Sequence, residues 1–171
     1  KHTLFVIVGD HGFASGQQLT EINLSRFNVP LLLIAPGIRE TFGARRDVVG
    51  TQVDIVPTIM GRLGGLTRHQ CWGRDLLSLS ADDPGFGIIK PSGSDQTVAL
   101  IQGERIFVES KSKESRLYDY RLGAEARVAV VADESASSTM KTQLGAFIQT
   151  ATRSLLDNTT GISGAGVASR R

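Results

Sequence analysis

The chain opens on Thr3-Leu4-Phe5-Val6-Ile7-Val8, a run of apolar or β-branched residues with no polar alternation. Such a run reads as a strand covered on both faces, the usual pattern of a central parallel strand. A second run, Leu31-Leu32-Leu33-Ile34-Ala35, follows Asn28-Val29-Pro30 and stops at Pro36-Gly37. Two continuous strands joined by about twenty residues predict a βαβ crossover, and so parallel pairing. Helical periodicity over Leu19 to Phe27 is weak, and the residue before Pro30 avoids the helical region. A better helix is predicted from Asp54 to Leu63. There Val56, Ile59, Met60 and Leu63 form one stripe, Asp54 caps the start, Pro57 falls in the first turn, and Gly64-Gly65 ends it. Thr51 is a rival cap, with Asp54 completing a capping box.

From Phe86 the pattern shortens. Phe86–Ile89, Thr97–Ile101, Arg105–Val108 and Leu117–Tyr120 read as brief strands, Arg127 to Ala132 as another, and Gly103-Glu104 as a turn between two of them. These predict a small antiparallel sheet. Ser138 to Asp157 then reads as an amphipathic helix, with Met140, Leu144, Phe147, Ile148, Ala151 and Leu155 at helical spacing. The patterning divides the chain into an α/β part over 1–80, the small sheet and helix over 81–157, and a Gly-, Ser- and Thr-rich flexible tail over 158–171.

Composition narrows the function classes. Forty per cent apolar and 21% charged residues describe an ordinary globular protein. A net charge of +2 gives no footprint for nucleic acid or an anionic membrane. No apolar run reaches the length of a transmembrane helix, and no signal peptide is visible. The single cysteine, Cys71, excludes an internal disulfide and reads as a small core residue. A buried-type strand starting beside Lys1, with few candidate neighbours downstream, predicts the C-terminal part of a longer protein.

The candidate chemistry stands directly after the first strand. Gly9-Asp10-His11-Gly12 places a carboxylate and an imidazole beyond the strand's carboxyl end, where open α/β sheets bind ligands. Both side chains ligate divalent cations, and the flanking glycines allow close approach. The same pair also suits a plain turn, with Asp10 capping backbone N–H groups. Two ligands fall short of the roughly four that zinc takes, or the roughly six of a hard cation. The loop from Ile38 to Arg46 carries Arg39, Arg45 and Arg46, which read as solvated charges, or as supplying one arginine to an anionic substrate or a phospholipid surface. His69 reads as a satisfied loop histidine or a ligand, and His2 as exposed.

Four motifs in order carry a resemblance: Val8-Gly9-Asp10-His11-Gly12; Val29-Pro30 through Ala35-Pro36-Gly37; Thr51-Gln52-Val53-Asp54-Ile55-Val56-Pro57-Thr58-Ile59-Met60-Gly61-Arg62-Leu63-Gly64; and Trp72-Gly73-Arg74-Asp75-Leu76-Leu77. Together they resemble the sulfatase family of the alkaline-phosphatase superfamily. Within it they look closest to lipoteichoic acid synthases and phosphoglycerol transferases. Arg116-Leu117-Tyr118-Asp119-Tyr120 is similar to the family's late Leu-Tyr-Asp strand. The resemblance implies an alkaline-phosphatase-like α/β fold, mainly a parallel sheet with flanking helices, in which Asp10 and His11 bind the catalytic metal. The nucleophile, the other ligands and most substrate-binding residues are then expected upstream. Arylsulfatases usually carry a lysine past the Asp-His-Gly loop and a glutamate before the Val-Pro strand. Here Gln17-Gln18 and Leu24-Ser25-Arg26-Phe27 stand in those stretches, which favours the transferase branch.

The implied function is metal-dependent transfer of a phosphoglycerol (phosphodiester) group on a cell-envelope lipid or glycan. Mn²⁺ is the expected ion, with Mg²⁺, Ca²⁺ or Zn²⁺ as alternatives. The expected partners are an anionic lipid or glycan and the amino-terminal half of the catalytic domain, with no nucleic acid. The expected location is extracytoplasmic, anchored by transmembrane helices outside this chain. A sulfuric ester hydrolase and a non-catalytic binding module of the same fold are the alternatives.

Overall fold

The structure, a computed structural model, describes residues 3–14, 18–64, 69–92, 96–111, 114–123 and 125–159. Two sheets organise it. Strands β1 (Phe5–Val8) and β2 (Leu31–Ile34) form a two-stranded sheet. Strands β3 (Phe86–Ile89), β4 (Val98–Gln102), β5 (Arg105–Glu109), β6 (Arg116–Arg121) and β7 (Arg127–Val130) form a five-stranded meander in chain order. Helices α1 (Ile38–Phe42) and α2 (Ile55–Leu63) follow β2, and α3 (Glu134–Leu156) follows β7.

The antiparallel meander matches its sequence pattern closely, every neighbouring pair being antiparallel. Gly103-Glu104 closes the β4–β5 hairpin between Gln102 and Arg105, and Gly103 takes the positive φ, 56°, expected of glycine first in a two-residue turn. Both faces of its central strands are covered. On one, Ile89, Ala99, Ile106, Val108 and Tyr118 pack with Ile22 and Leu24 from the long β1–β2 connection. On the other, Leu100, Phe107 and Leu117 pack with Met140 and Leu144 of α3. Helix α3 starts four residues earlier than its apolar stripe suggests, because the Asp133 carboxylate accepts the Ala136 N–H at 2.9 Å and caps it. Farther along, Phe147 meets the Phe86 ring edge-on at 6.4 Å, and Trp72 Nε1 donates to Ser154 at 3.0 Å. The tail from 160 onward lies outside the described residues.

The first sheet corrects two expectations. β1 and β2 pair antiparallel, Phe5 opposite Ile34 and Val8 opposite Leu31, so the described residues form no mainly parallel sheet. The connection explains it. Its described part holds only a 3-10 turn over Leu24–Arg26, with no crossover helix, and the chain folds back beside itself. The apolar runs also lack the cover they were expected to have: Phe5 is 59% exposed, Leu32 50% and Ile34 53%. Helix α2 behaves alike, burying Pro57 and Thr58 while Val56 and Leu63 of its stripe stay exposed. Cys71 is exposed rather than in the core, since its loop runs over the surface.

Candidate metal centre

Asp10 and His11 leave the carboxyl end of β1 as exposed side chains, 92% and 72% accessible. Their conformations are nonetheless set locally. Asp10 Oδ1 accepts the His11 N–H at 2.9 Å, which fixes the carboxylate against its own backbone. His11 Nδ1 lies 3.0 Å from the Gly12 carbonyl oxygen. A carbonyl only accepts, so the proton sits on Nδ1 and the Nε2 lone pair is left for a ligand. Nε2 lies 3.9 Å from Asp10 Oδ2. Metal bonds to imidazole and carboxylate run about 2.0–2.2 Å, so one ion can be reached by both donors. The pair therefore fits part of a divalent-cation site. Among the described residues, no third His, Cys, Asp or Glu joins it in a cluster.

Three contacts from distant segments hold this loop. The Gly12 N–H donates to the Arg26 carbonyl at 2.8 Å, and Gly12 is packed so closely that a Cβ would overlap the Ser25 carbonyl oxygen. A Cβ on Gly9 would press on Val29 at 3.1 Å. From the other side, Gln52 Nε2 donates to the carbonyls of Gly9, at 3.0 Å, and Asp10, at 3.1 Å. The sequence offered no signal for Gln52, because the contact spans 43 residues.

Gln52 stands on a 3-10 turn, Gln52–Asp54, that precedes α2. Thr51, not Asp54, begins this capped turn: Asp54 Oδ2 accepts the Thr51 N–H at 2.7 Å. The preference for Asp54 as cap is thereby corrected, yet Pro57 still falls in the first turn of α2, because the helix proper starts at Ile55. Asp54 is 1% exposed, and its other oxygen accepts the Arg74 N–H at 2.6 Å. The Arg74 guanidinium stacks 3.9 Å over Phe86 of β3. Asp54 is thus structural, a link between the turn beside Asp10 and His11 and the second sheet. A parallel link runs through Glu21, whose carboxylate accepts the Tyr118 hydroxyl at 2.8 and 2.9 Å. Burial, with that bond added, pushes the Tyr118 phenol above its ordinary pKa.

The remaining candidates separate from the pair. Arg45 is engaged by Asp47 at 2.6 Å, and Arg46 donates to the carbonyls of Leu77, Leu79 and Ser80. Arg39 lies exposed on α1, where a loop was expected. His69 Nδ1 accepts the Cys71 N–H at 3.3 Å, a local loop contact. His2 lies outside the described residues.

Comparison with known proteins adds to this geometry. The solved structure of a protein in the alkaline phosphatase superfamily from Vibrio parahaemolyticus superposes with a TM-score of 0.68 over 91% of this chain and 35% of its own, at 19% identity. Over those residues the chain shares the fold of part of that structure. Residues 1–65, which include Asp10, His11 and Gln52, match the Sulfatase family model. The multifunctional alkaline phosphatase superfamily protein PehA of Trinickia caryophylli is 33% identical over 84 residues, 47% of this chain. The chain spans only 16% of that relative's length. No helix among the described residues is long and apolar enough to cross a membrane.

Proposed function

We propose that this chain is the carboxyl-terminal part of a metal-dependent enzyme, a phosphoglycerol (phosphodiester) transferase acting on an anionic cell-envelope lipid or glycan. The observation that carries the reading is the convergence of Asp10 Oδ2 and His11 Nε2 at the exposed end of β1, 3.9 Å apart. The match of the surrounding stretch to the Sulfatase family supports it. Asp10 and His11 hold a divalent cation, Mn²⁺ first, with Mg²⁺, Ca²⁺ or Zn²⁺ as the other candidates. When bound, such an ion lowers the pKa of an oxygen nucleophile and neutralises charge developing on the transferred group. Asp10 contributes an anionic oxygen. His11 contributes a neutral nitrogen whose tautomer the Gly12 carbonyl holds.

In this reading the nucleophile and the other ligands belong to the amino-terminal half of the catalytic domain. That half packs on the uncovered apolar faces of β1, β2 and α2, where Phe5, Ile7, Leu32, Ile34, Val56 and Leu63 are exposed. The parent works at the outer face of a membrane, anchored by transmembrane helices outside this chain.

Titration of the full-length protein with Mn²⁺ tests the reading. Asp10→Asn and His11→Ala should each weaken binding by at least about tenfold and lower phosphodiester turnover with it. Unchanged affinity and turnover in both variants would return the pair to a capping turn. The match to the Sulfatase family favours one second reading, a sulfuric ester hydrolase. Parallel assays on an aryl sulfate and an aryl phosphodiester distinguish the two.

A further inference from the structure

We infer that Gln52 is a positioning residue for the metal pair, setting the loop that presents Asp10 and His11 without itself touching a ligand. The inference rests on the metal reading above and deepens it. The single nitrogen Nε2 carries two hydrogens, and the two carbonyls it meets belong to consecutive peptides, Gly9 at 3.0 Å and Asp10 at 3.1 Å. Holding both carbonyls on one side fixes the backbone of Asp10 between them, and with it the direction in which the carboxylate leaves the strand. The Asp10 carbonyl also belongs to the peptide whose N–H donates to Asp10 Oδ1, so the same restraint reaches the His11 nitrogen.

Gln52 is solvent-exposed, and an exposed amide on a mobile loop would hold little. Its base, however, is rigid. It lies between Thr51 and the buried Asp54 in a capped turn, and Asp54 is bonded to the Arg74 backbone. From the opposite side the loop is backed by the Gly12 bond to Arg26. The loop is thus clamped between the capped turn and the Leu24–Arg26 turn, and Gln52 is the side-chain half of the clamp. Groups that orient a metal ligand typically carry about 10- to 100-fold in affinity.

The test uses the full-length protein with Gln52→Ala and the near-isosteric Gln52→Glu, which replaces both N–H donors with an acceptor facing two carbonyl oxygens. Amide hydrogen exchange over residues 9–12, Mn²⁺ titration and metal-free melting are measured together. Both variants should raise exchange in the loop, leave the β4–β5 hairpin unchanged, and weaken Mn²⁺ binding about tenfold. The metal-free melting temperature should stay within about 2 °C of the parent. Unchanged loop exchange overturns the proposal. So does a Mn²⁺ affinity within about twofold of the parent, or a rise in exchange spread across the chain with a lowered melting temperature. Asp10→Asn is run alongside. If it too leaves Mn²⁺ binding intact, the metal reading fails, and Gln52 is judged on loop exchange alone, where a local rise supports the clamp and no change overturns it.

Discussion

The two sheets use similar residues and end in opposite states. In the five-stranded sheet Ala99, Ile106, Phe107 and Leu117 are at most 2% exposed, closed in by α3 on one face and by Ile22 and Leu24 on the other. In the β1–β2 pair, Phe5, Ile7, Leu32 and Ile34 are each at least half exposed. The difference lies in cover, not in strand chemistry. An apolar run states a demand for burial, and only the rest of the fold decides whether the demand is met. The uncovered sheet is also the one that carries Asp10 and His11.

Truncation in the two sheets should separate these states most strongly. Leu144→Ala removes a side chain that is fully buried against the five-stranded sheet, and should cost about 2–5 kcal/mol in denaturant unfolding of this chain. Leu32→Ala, at a half-exposed position, should cost under about 1 kcal/mol in the same chain. In the full-length protein the cost of Leu32→Ala should rise toward the Leu144 value, if the amino-terminal half covers β2. Equal small costs in both contexts would break the comparison.

A smaller effect is expected at the junction between the regions. Gly12→Ala forces a methyl group into the Ser25 carbonyl, so the loop or the Leu24–Arg26 turn must move. Overpacking of this kind costs about 1–3 kcal/mol, read as a lowered unfolding midpoint, with Mn²⁺ affinity falling alongside it. A wild-type midpoint would mean that the loop yields freely and is not clamped.

The smallest effect concerns the well-covered region. The Ala136 N–H bonded to Asp133, aided by Arg105, holds that carboxyl below its ordinary value of 3.8. A lowered folded-state pKa contributes stability that is present above the unfolded value and lost as pH falls through the folded one. The amino-terminal turn of α3 should therefore loosen only below about pH 4, seen as faster exchange of the Ala136 and Ser137 amides. Asp133→Asn, which keeps a capping oxygen without the charge, should flatten that pH dependence. An unaltered profile would assign it to another carboxylate.

Much of the fold was legible because its signals are local. Short apolar runs broken by turns, a glycine at Gly103 and an apolar stripe from Met140 to Leu144 each state their element within a few residues, and the meander and α3 follow from them. The Asp-His pair was legible for the same reason, as two metal-competent side chains standing where a strand ends. The pairing direction of β1 and β2 was not, since a continuous apolar run reports hydrophobic demand and carries no sign for parallel or antiparallel. Only the folded connection, whose described part holds a 3-10 turn and no crossover helix, decides it. The exposure of Cys71 likewise depends on where its loop runs in the folded chain, whereas the Thr51 start of the capped turn rests on a local bond to Asp54 that the capping box already offered. Gln52 is the clearest case. Residue type and spacing say nothing about a bond to a backbone 43 positions away, because such a contact exists only once both segments have been packed into place.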